Sequence, residues 1–391
     1  MIGYGLTLPI LPFLVEKAAE SGSILGVSPA IHVGLITGIY PLMQFLSAPF
    51  WGRWSDYIGR SSVLAIGMGG YALALILFGW TDDLVLLYSL RVISGLFSAS
   101  VLPTVNSWVS DMSPLKIRGK VLAWVGGSAS LGVIFGPVLS SFFMDIDLLS
   151  NWSWKIFTTS SYTVPFFIAG ILSIIALATV LIWLPAQAPP NKLDNTGQKS
   201  FNILKNIKGE MTQLLILAFI AQIALSIFET TFALHSQKTL AFGVYEMGFI
   251  FMICALGMSL SQIGMSGFLI DHWGEYKILP IGFLFLGLSQ LQLMLANNLG
   301  IIIIVVSFLA VGIALIAPSL ASLTSKIDTR FIGERMGVLT SISSLGLAFG
   351  SFAGAGLYTV SIHLPYILTA ILVLLVPAHF AKKYLVGEPV Q

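Results

Sequence analysis

Charged side chains are scarce in this sequence, and their scarcity excludes most soluble architectures. Only 9% of the 391 residues are Asp, Glu, Lys or Arg, whereas 56% are hydrophobic. A soluble domain carries about 25% charged residues, which cover its surface. The composition therefore predicts an integral membrane protein, and the mean hydropathy of +0.92 agrees with that prediction.

The sequence also lacks the short motifs of soluble enzymes and nucleic-acid-binding modules. Its one cysteine, Cys254, can form neither an intrachain disulfide nor a Cys-x-x-Cys metal site. The phosphate-binding loop GxxxxGK[ST] is absent, which argues against direct use of ATP, and the five histidines are scattered. The basic residues form no single patch of the kind that binds nucleic acid. We therefore expect a protein that is not an enzyme and that needs no metal, cofactor or nucleic acid.

Long apolar runs fill most of the chain. A hydrocarbon core of about 30 Å requires roughly 20 apolar residues per helix. Eleven such runs lie near residues 32–50, 63–80, 84–109, 119–143, 161–184, 212–235, 246–270, 278–296, 299–323, 335–358 and 362–380. The apolar segment Met1–Val15 is too short to cross, and we interpret it as the C-terminal half of a first helix. The prediction is an all-α membrane protein with twelve transmembrane helices, the first of them truncated.

The loops predict the orientation of these spans. If the loop around residues 50–62 is cytoplasmic, alternate loops place fifteen basic residues on that side and three on the other. Basic residues favour the cytoplasmic side of a membrane. We therefore expect a multi-pass protein of the plasma (inner) membrane, monomeric in the lipid bilayer, with both termini in the cytoplasm.

The chain shows an internal duplication. The polar, proline-rich residues 185–211 predict a linker between one bundle over residues 1–184 and another over residues 212–391. The motif Gly52-x3-Asp56-x2-Gly59-Arg60 recurs 215 residues later as Gly267-x3-Asp271-x2-Gly274, and SLGVIFG at 130–136 returns 214 residues later as SLGLAFG. Two duplicated six-helix halves with a pathway between them are a transporter architecture.

Three motifs in the first half carry a likeness to a known family. They are FWGRWSDYIGR at residues 50–60, Arg91-x3-Gly95, and Gly132-x3-Gly136-Pro137. Together they resemble signatures of the major facilitator superfamily, and most closely its twelve-helix drug:proton antiporters, the bacterial multidrug and tetracycline exporters. The third motif is associated with antiporters, although Ser140 and Ser141 stand where that family usually has glycines. The resemblance implies proton-driven export by alternating access around a cavity between helices 1, 4, 7 and 10.

Two ionisable residues lie well inside the predicted spans. An ionised side chain at the bilayer centre costs about 2.5–3.5 kcal/mol on insertion scales, so such groups are functional by default. Glu229 could exchange a proton as access alternates, or it could be a neutral, hydrogen-bonded core residue. Arg91 needs an acceptor, and the resemblance implies a role in proton handling. It could instead extend to the outer interface near Asp82 and Asp83.

The loop at residues 50–62 concentrates charge and glycine in a short turn. Gly52 and Gly59 permit a tight turn and close helix approach, and Arg53 and Arg60 hold the loop on the cytoplasmic side. Asp56 can accept hydrogen bonds from these arginines, from a helix N-terminus or from Arg118. The resemblance implies a cytoplasmic gate, to which the repeat adds Gly267, Asp271 and Gly274. The alternative is a topology anchor, for which the arginines would suffice.

Polar and aromatic side chains within the spans are candidates for the wall of a substrate cavity. They are Tyr40, Gln44, Asn106, Trp124, Gln222, Phe228, Phe232 and Gln262. Each could equally be a contact between helices. The function that we predict is proton-coupled efflux of small hydrophobic or cationic compounds. The alternatives are a facilitator or symporter for a sugar or organic acid, and a non-transporting receptor or scaffold.

Overall fold

A computed structural model describes residues 1–5, 29–81, 83–144, 164–184, 209–240, 244–294, 298–327 and 332–385. These ranges are helical and contain no strand, and residues 2–5 form a short helical segment. The longer helices are α1 (Pro29–Ile58), α2 (Arg60–Phe78), α3 (Leu84–Ser98), α4 (Val101–Met112), α5 (Arg118–Met144), α6 (Val164–Trp183), α7 (Glu210–Leu240), α8 (Val244–Leu260), α9 (Gly267–Trp273), α10 (Glu275–Leu293), α11 (Leu299–Ile327), α12 (Ile332–Val360) and α13 (Leu364–Leu385).

Each of the eleven predicted spans falls on one of these helices or on a consecutive group of them. In the described part of the chain, eight segments are long and apolar enough to cross a membrane. The expected class, an all-α membrane protein with twelve helices in two pseudo-symmetric bundles, is confirmed. Most of the predicted first helix, at residues 6–28, and most of the predicted linker, at residues 185–208, lie outside the described residues.

Two spans are interrupted where the sequence predicts a continuous helix. The span at 84–109 consists of α3 and α4, separated at Ala99 and Ser100. Pro103 lacks the N–H that would donate to the Ala99 carbonyl, so the helix breaks there. The span at 246–270 contains a π-helical turn, Ser261–Ser266, between α8 and α9. Such turns appear frequently at functional sites.

The two halves meet most closely at the end of the molecule where α1 ends and α12 begins. There α1 packs against α12, α4 against α12, and α5 against α8 and α11. Val109 of α4 and Leu122 of α5 belong to the same apolar cluster as the core of the second half. We call this end, which the loop charges predict to be cytoplasmic, the clasp end.

Candidate functional site

Asp56 fastens the last turn of α1 to the first turn of α12. Its carboxylate is fully buried and accepts hydrogen bonds from the backbone N–H groups of Gly333 (3.1 Å) and Glu334 (2.9 Å). The positive end of a helix dipole stabilises an anion at this position. Of the partners that the sequence leaves open for Asp56, the structure therefore includes a helix N-terminus, and this one belongs to the other half.

Arg60 completes the same cluster. One guanidinium nitrogen lies 2.6 Å from the Asp56 carboxylate and donates to the Ser55 hydroxyl at 2.5 Å. The other side of the guanidinium donates to Asp111 at 3.0 and 3.1 Å. Sequence analysis missed Asp111, because an acid at the end of the fourth span carries no motif signal. We call Asp56, Arg60, Asp111 and the N-terminus of α12 the clasp.

Glycines allow the backbones at the clasp to approach. A Cβ atom added at Gly52 would lie 2.9 Å from Cα of Gly337 and also contact the Gly333 carbonyl. Gly59 has φ of 95° and Gly274 has φ of 79°, a backbone conformation that side-chain-bearing residues rarely adopt. The tight turn and the close helix approach predicted for the two glycines of the first-half motif are both present.

Arg118 also joins the halves, although through a different partner from the one that the sequence suggested. Its guanidinium donates to the carbonyl of Ser325 at 3.1 Å, on α11, and contacts the Ser325 hydroxyl. The suggested pairing with Asp56 is wrong in this structure, because Arg60 and the α12 N-terminus occupy that carboxylate. Arg53 lies with its guanidinium carbon 5.7 Å from the Tyr57 ring centroid and interacts electrostatically with Glu334.

The repeat in the second half does not build a second copy of the clasp. Gly267 packs against Lys120 of α5, so this glycine does lie where the halves meet. Asp271, in contrast, is exposed and has no hydrogen bond or ion pair with any residue that the structure describes. The expectation that Asp271 contributes to the gate as Asp56 does is therefore wrong for this conformation.

An inverted ion pair accounts for the difference. At the positions 215 residues after Arg60 and Asp111, the second half has Glu275 and Lys326, which form a salt bridge with the charges exchanged. Glu275 also accepts a hydrogen bond from Ser322 at 2.6 Å. Four residues after Asp271, the second half thus carries an acid where the first half carries Arg60. Like charges at this helical spacing repel, so Asp271 is not held inward.

Arg91 lies inside the first half and does not extend to the membrane surface. It is 7% exposed, with its guanidinium carbon 5.5 Å from the Tyr40 ring centroid and 5.2 Å from that of Phe78. Its Nε has no hydrogen-bond partner among the described residues. Asp83 instead caps α3 by accepting from the Leu86 N–H at 2.8 Å. The interfacial alternative for Arg91 is therefore wrong.

Glu229 is half-buried in α7, and within the described ranges its carboxyl accepts no hydrogen bond. It interacts electrostatically with Tyr4 and Cys254. Tyr4 stacks on Tyr40 with ring centroids 5.8 Å apart and also interacts electrostatically with Arg91. A line of aromatic groups therefore connects the intramembrane acid of the second half with the intramembrane base of the first.

The predicted cavity amides occupy different environments. Gln44 donates to Ser98 of α3 at 3.1 Å and accepts from Ser344 of α12 at 3.3 Å, so it joins the halves. Gln262, on the π-helical turn, is buried and accepts from Ser130 of α5 at 3.4 Å. Gln222 lines a cavity of about 50 Å³ between α7, α11 and α12. That volume holds a few waters and is too small for a drug-sized ligand.

The aromatic candidates are not grouped around one cavity. Phe228 and Phe232 are each 1% exposed and stack on each other at 5.1 Å, so their placement in a cavity wall is wrong. Their spacing of four residues puts both rings on the face of α7 that packs against Phe251 of α8. Trp124 is exposed beneath Lys120, and Asn106 is half-buried.

The third motif lies in α5, which is helical from Arg118 to Met144. A Cβ atom added at Gly132 would lie 2.9 Å from Cβ of Met1, and Gly136 is buried. The small residue at Gly132 thus permits close contact with the first residues of the chain. The side chain of Pro137 is outside the described part, so the predicted proline bend stays a prediction.

These features define an integral, multi-pass helical membrane protein of two related halves, joined at one end by ionic contacts. A sequence profile of the Major Facilitator Superfamily matches residues 1–328 and 214–391. The chain belongs to this superfamily, whose members are transporters.

Similar proteins cover nearly all of the chain. Multidrug resistance protein 2 of Bacillus subtilis is 24% identical over 94% of this chain and 88% of its own length. Tetracycline resistance protein, class B, of Escherichia coli is 27% identical over 92% and 86%. The solved structure of the human organic anion transporter MFSD10 (TETRAN) has a TM-score of 0.77 at 19% identity, over 97% of this chain and 95% of that one. At that identity the structural likeness shows the fold alone.

Proposed function

We propose that this transporter exports small hydrophobic or cationic compounds in exchange for protons. The observation that carries the proposal is Glu229, a half-buried carboxyl within a membrane span. An ionisable group at this depth is costly unless it has a function. The names of the bacterial relatives, multidrug and tetracycline resistance proteins, support an exporter of such compounds.

The proposed cycle uses Glu229 as the coupling group. When the carboxyl is ionised, it attracts a cation or takes up a proton, and a neutral carboxyl releases the cationic substrate. Tyr4 and Arg91 are electrostatically connected with it, so a change of charge at Glu229 is felt in the first half. The transport cycle then opens the clasp by separating Asp56 from the N-terminus of α12, while the opposite end closes. The clasp end faces the cytoplasm in this proposal.

The proposal is tested with the Glu229→Gln variant in proteoliposomes with an imposed pH gradient. Glutamine keeps the size and hydrogen-bonding capacity of the side chain but cannot exchange a proton, so we expect drug-driven proton movement to be lost while the protein remains folded. Glu210→Gln is the matched control, because Glu210 is an exposed acid at the start of the same helix. We expect that variant to transport normally.

Three results would contradict the proposal. Full proton exchange by Glu229→Gln would remove Glu229 from the coupling step. A requirement for ATP would contradict secondary transport altogether. Accumulation of a sugar or an organic acid, with no export of hydrophobic cations from a compound panel, would favour the facilitator or symporter alternative.

A further inference from the structure

An open groove lies beside the clasp, on the face of α1 that points away from the second half. Its volume is about 660 Å³, and it is lined by Met43, Leu46, Ser47, Phe50, Trp51, Arg53, Trp54, Tyr57 and Leu96. We call it the α1–α3 groove, because all of these residues lie on α1 except Leu96, which lies on α3.

The groove faces the lipid. Ala48 and Gly52 mark the side of α1 that packs against α12, through contacts with Gly337. At 100° per residue, Phe50 points roughly opposite to that side. Phe50 and Trp54 are 56% and 53% exposed, and in a membrane protein such apolar exposure is to acyl chains.

The interior of the groove suits a hydrocarbon chain. Its two buried polar groups are already satisfied, since Ser47 donates to the Met43 carbonyl at 2.6 Å and Trp51 donates to the Leu96 carbonyl at 2.7 Å. Fourteen residues separate Met43 from Tyr57, which corresponds to about 21 Å of helix. One leaflet contributes about 15 Å of hydrocarbon, so the groove extends from the chain region to the level of the headgroups.

A cation stands at the headgroup end. Arg53 is the charged residue that lines the groove, and it lies in the last two turns of α1, at the clasp end. Its guanidinium has five N–H donors, so it can attract Glu334 and still hold a phosphate. Basic pockets between helices on the cytoplasmic side bind anionic headgroups, and the loop charges predict that this end is cytoplasmic.

We infer that the α1–α3 groove binds one anionic phospholipid, with an acyl chain along Leu46, Phe50 and Trp54 and the phosphate at Arg53. This site is distinct from the substrate pathway, and it does not depend on the proposed proton-coupled export. A belt of interfacial aromatic residues alone would require neither a groove nor a cation.

The inference is tested by native mass spectrometry of the delipidated full-length protein. The protein is offered phosphatidylglycerol and phosphatidylcholine of equal chain length. We expect one phosphatidylglycerol to be retained in preference, and Arg53→Gln to reduce that preference about fivefold, the effect of one basic residue near a membrane surface. Arg53→Lys keeps the charge and should keep the preference.

A second pair of variants tests the groove without touching the clasp. Leu46→Trp fills the groove and should reduce the occupancy of the retained lipid, whereas Leu73→Trp should not, because Leu73 is equally exposed but lies on α2, outside the groove. Equal retention of both lipids by the unmodified protein would overturn the inference. So would equal lipid loss in the two tryptophan variants, which would indicate non-specific annular lipid.

Discussion

Replacing Asp56 by asparagine should open the clasp. The carboxylate is fully buried, accepts two backbone N–H bonds from the other half and pairs with Arg60 at 2.6 Å. Asparagine removes the charge and one of the two acceptor oxygens, and it turns an N–H donor toward groups that also donate. The closed end of the molecule therefore loses stabilisation that the open end never had.

The size of the effect follows from these contacts. Hydrogen bonds to a charged group contribute about 1.5–3 kcal/mol each, and breaking a buried ion pair costs about 3–5 kcal/mol. Arg60 retains Asp111 at 3.0 Å, which reduces the second term. We expect a loss of roughly 2–3 kcal/mol, equivalent to a 30- to 150-fold change in the ratio of closed to open molecules.

Spin-label distance measurements can follow the opening directly. Because Cys254 is the one cysteine, a Cys254→Ala background accepts labels at Ile58 and Trp273, which are 41% and 56% exposed at the ends of α1 and α9. Asp56→Asn should shift the distances toward a longer population. Asp271→Asn, at the repeated and exposed position, should leave them unchanged. Identical distributions for all three proteins would refute the reasoning, and unchanged efflux kinetics would return the motif to a topology anchor.

Other predictions concern the backbone and the inverted ion pair. Gly59→Ala should lower the free energy of unfolding by about 1–3 kcal/mol, because its φ of 95° is strained for alanine; Gly264→Ala, with open space around it, should show no comparable fall in melting temperature. Gly52→Ala should separate α1 from α12 by overpacking, at a cost of about 1–3 kcal/mol, and lengthen the same label distance. A double-mutant cycle of Glu275→Gln and Lys326→Met should give a coupling of at most about 1 kcal/mol in thermal unfolding, because Lys326 is 36% exposed; a larger value would show that the pair is effectively desolvated.

Much of the fold follows from the sequence through simple physics. Runs of about 20 apolar residues can satisfy their backbone groups in lipid only as helices, so the number and positions of the spans were predictable. The repeat of the Asp56 motif indicated two related halves before any contact was known. Intramembrane Glu229 and Arg91 were recognisable because a charge is rare at those depths.

Pairing between distant residues was decided by the tertiary structure alone. The sequence shows that Asp56 needs donors, but the donors are backbone N–H groups 277 and 278 residues away, which carry no side-chain signal. Phe228 and Phe232 have the composition of a cavity wall, and only the rotation of α7 shows that they face the core. Asp271 repeats the letter of Asp56, yet Glu275 four residues later reverses its electrostatic surroundings. Sequence thus determined which groups must find partners, and packing of the helices decided which partners they found.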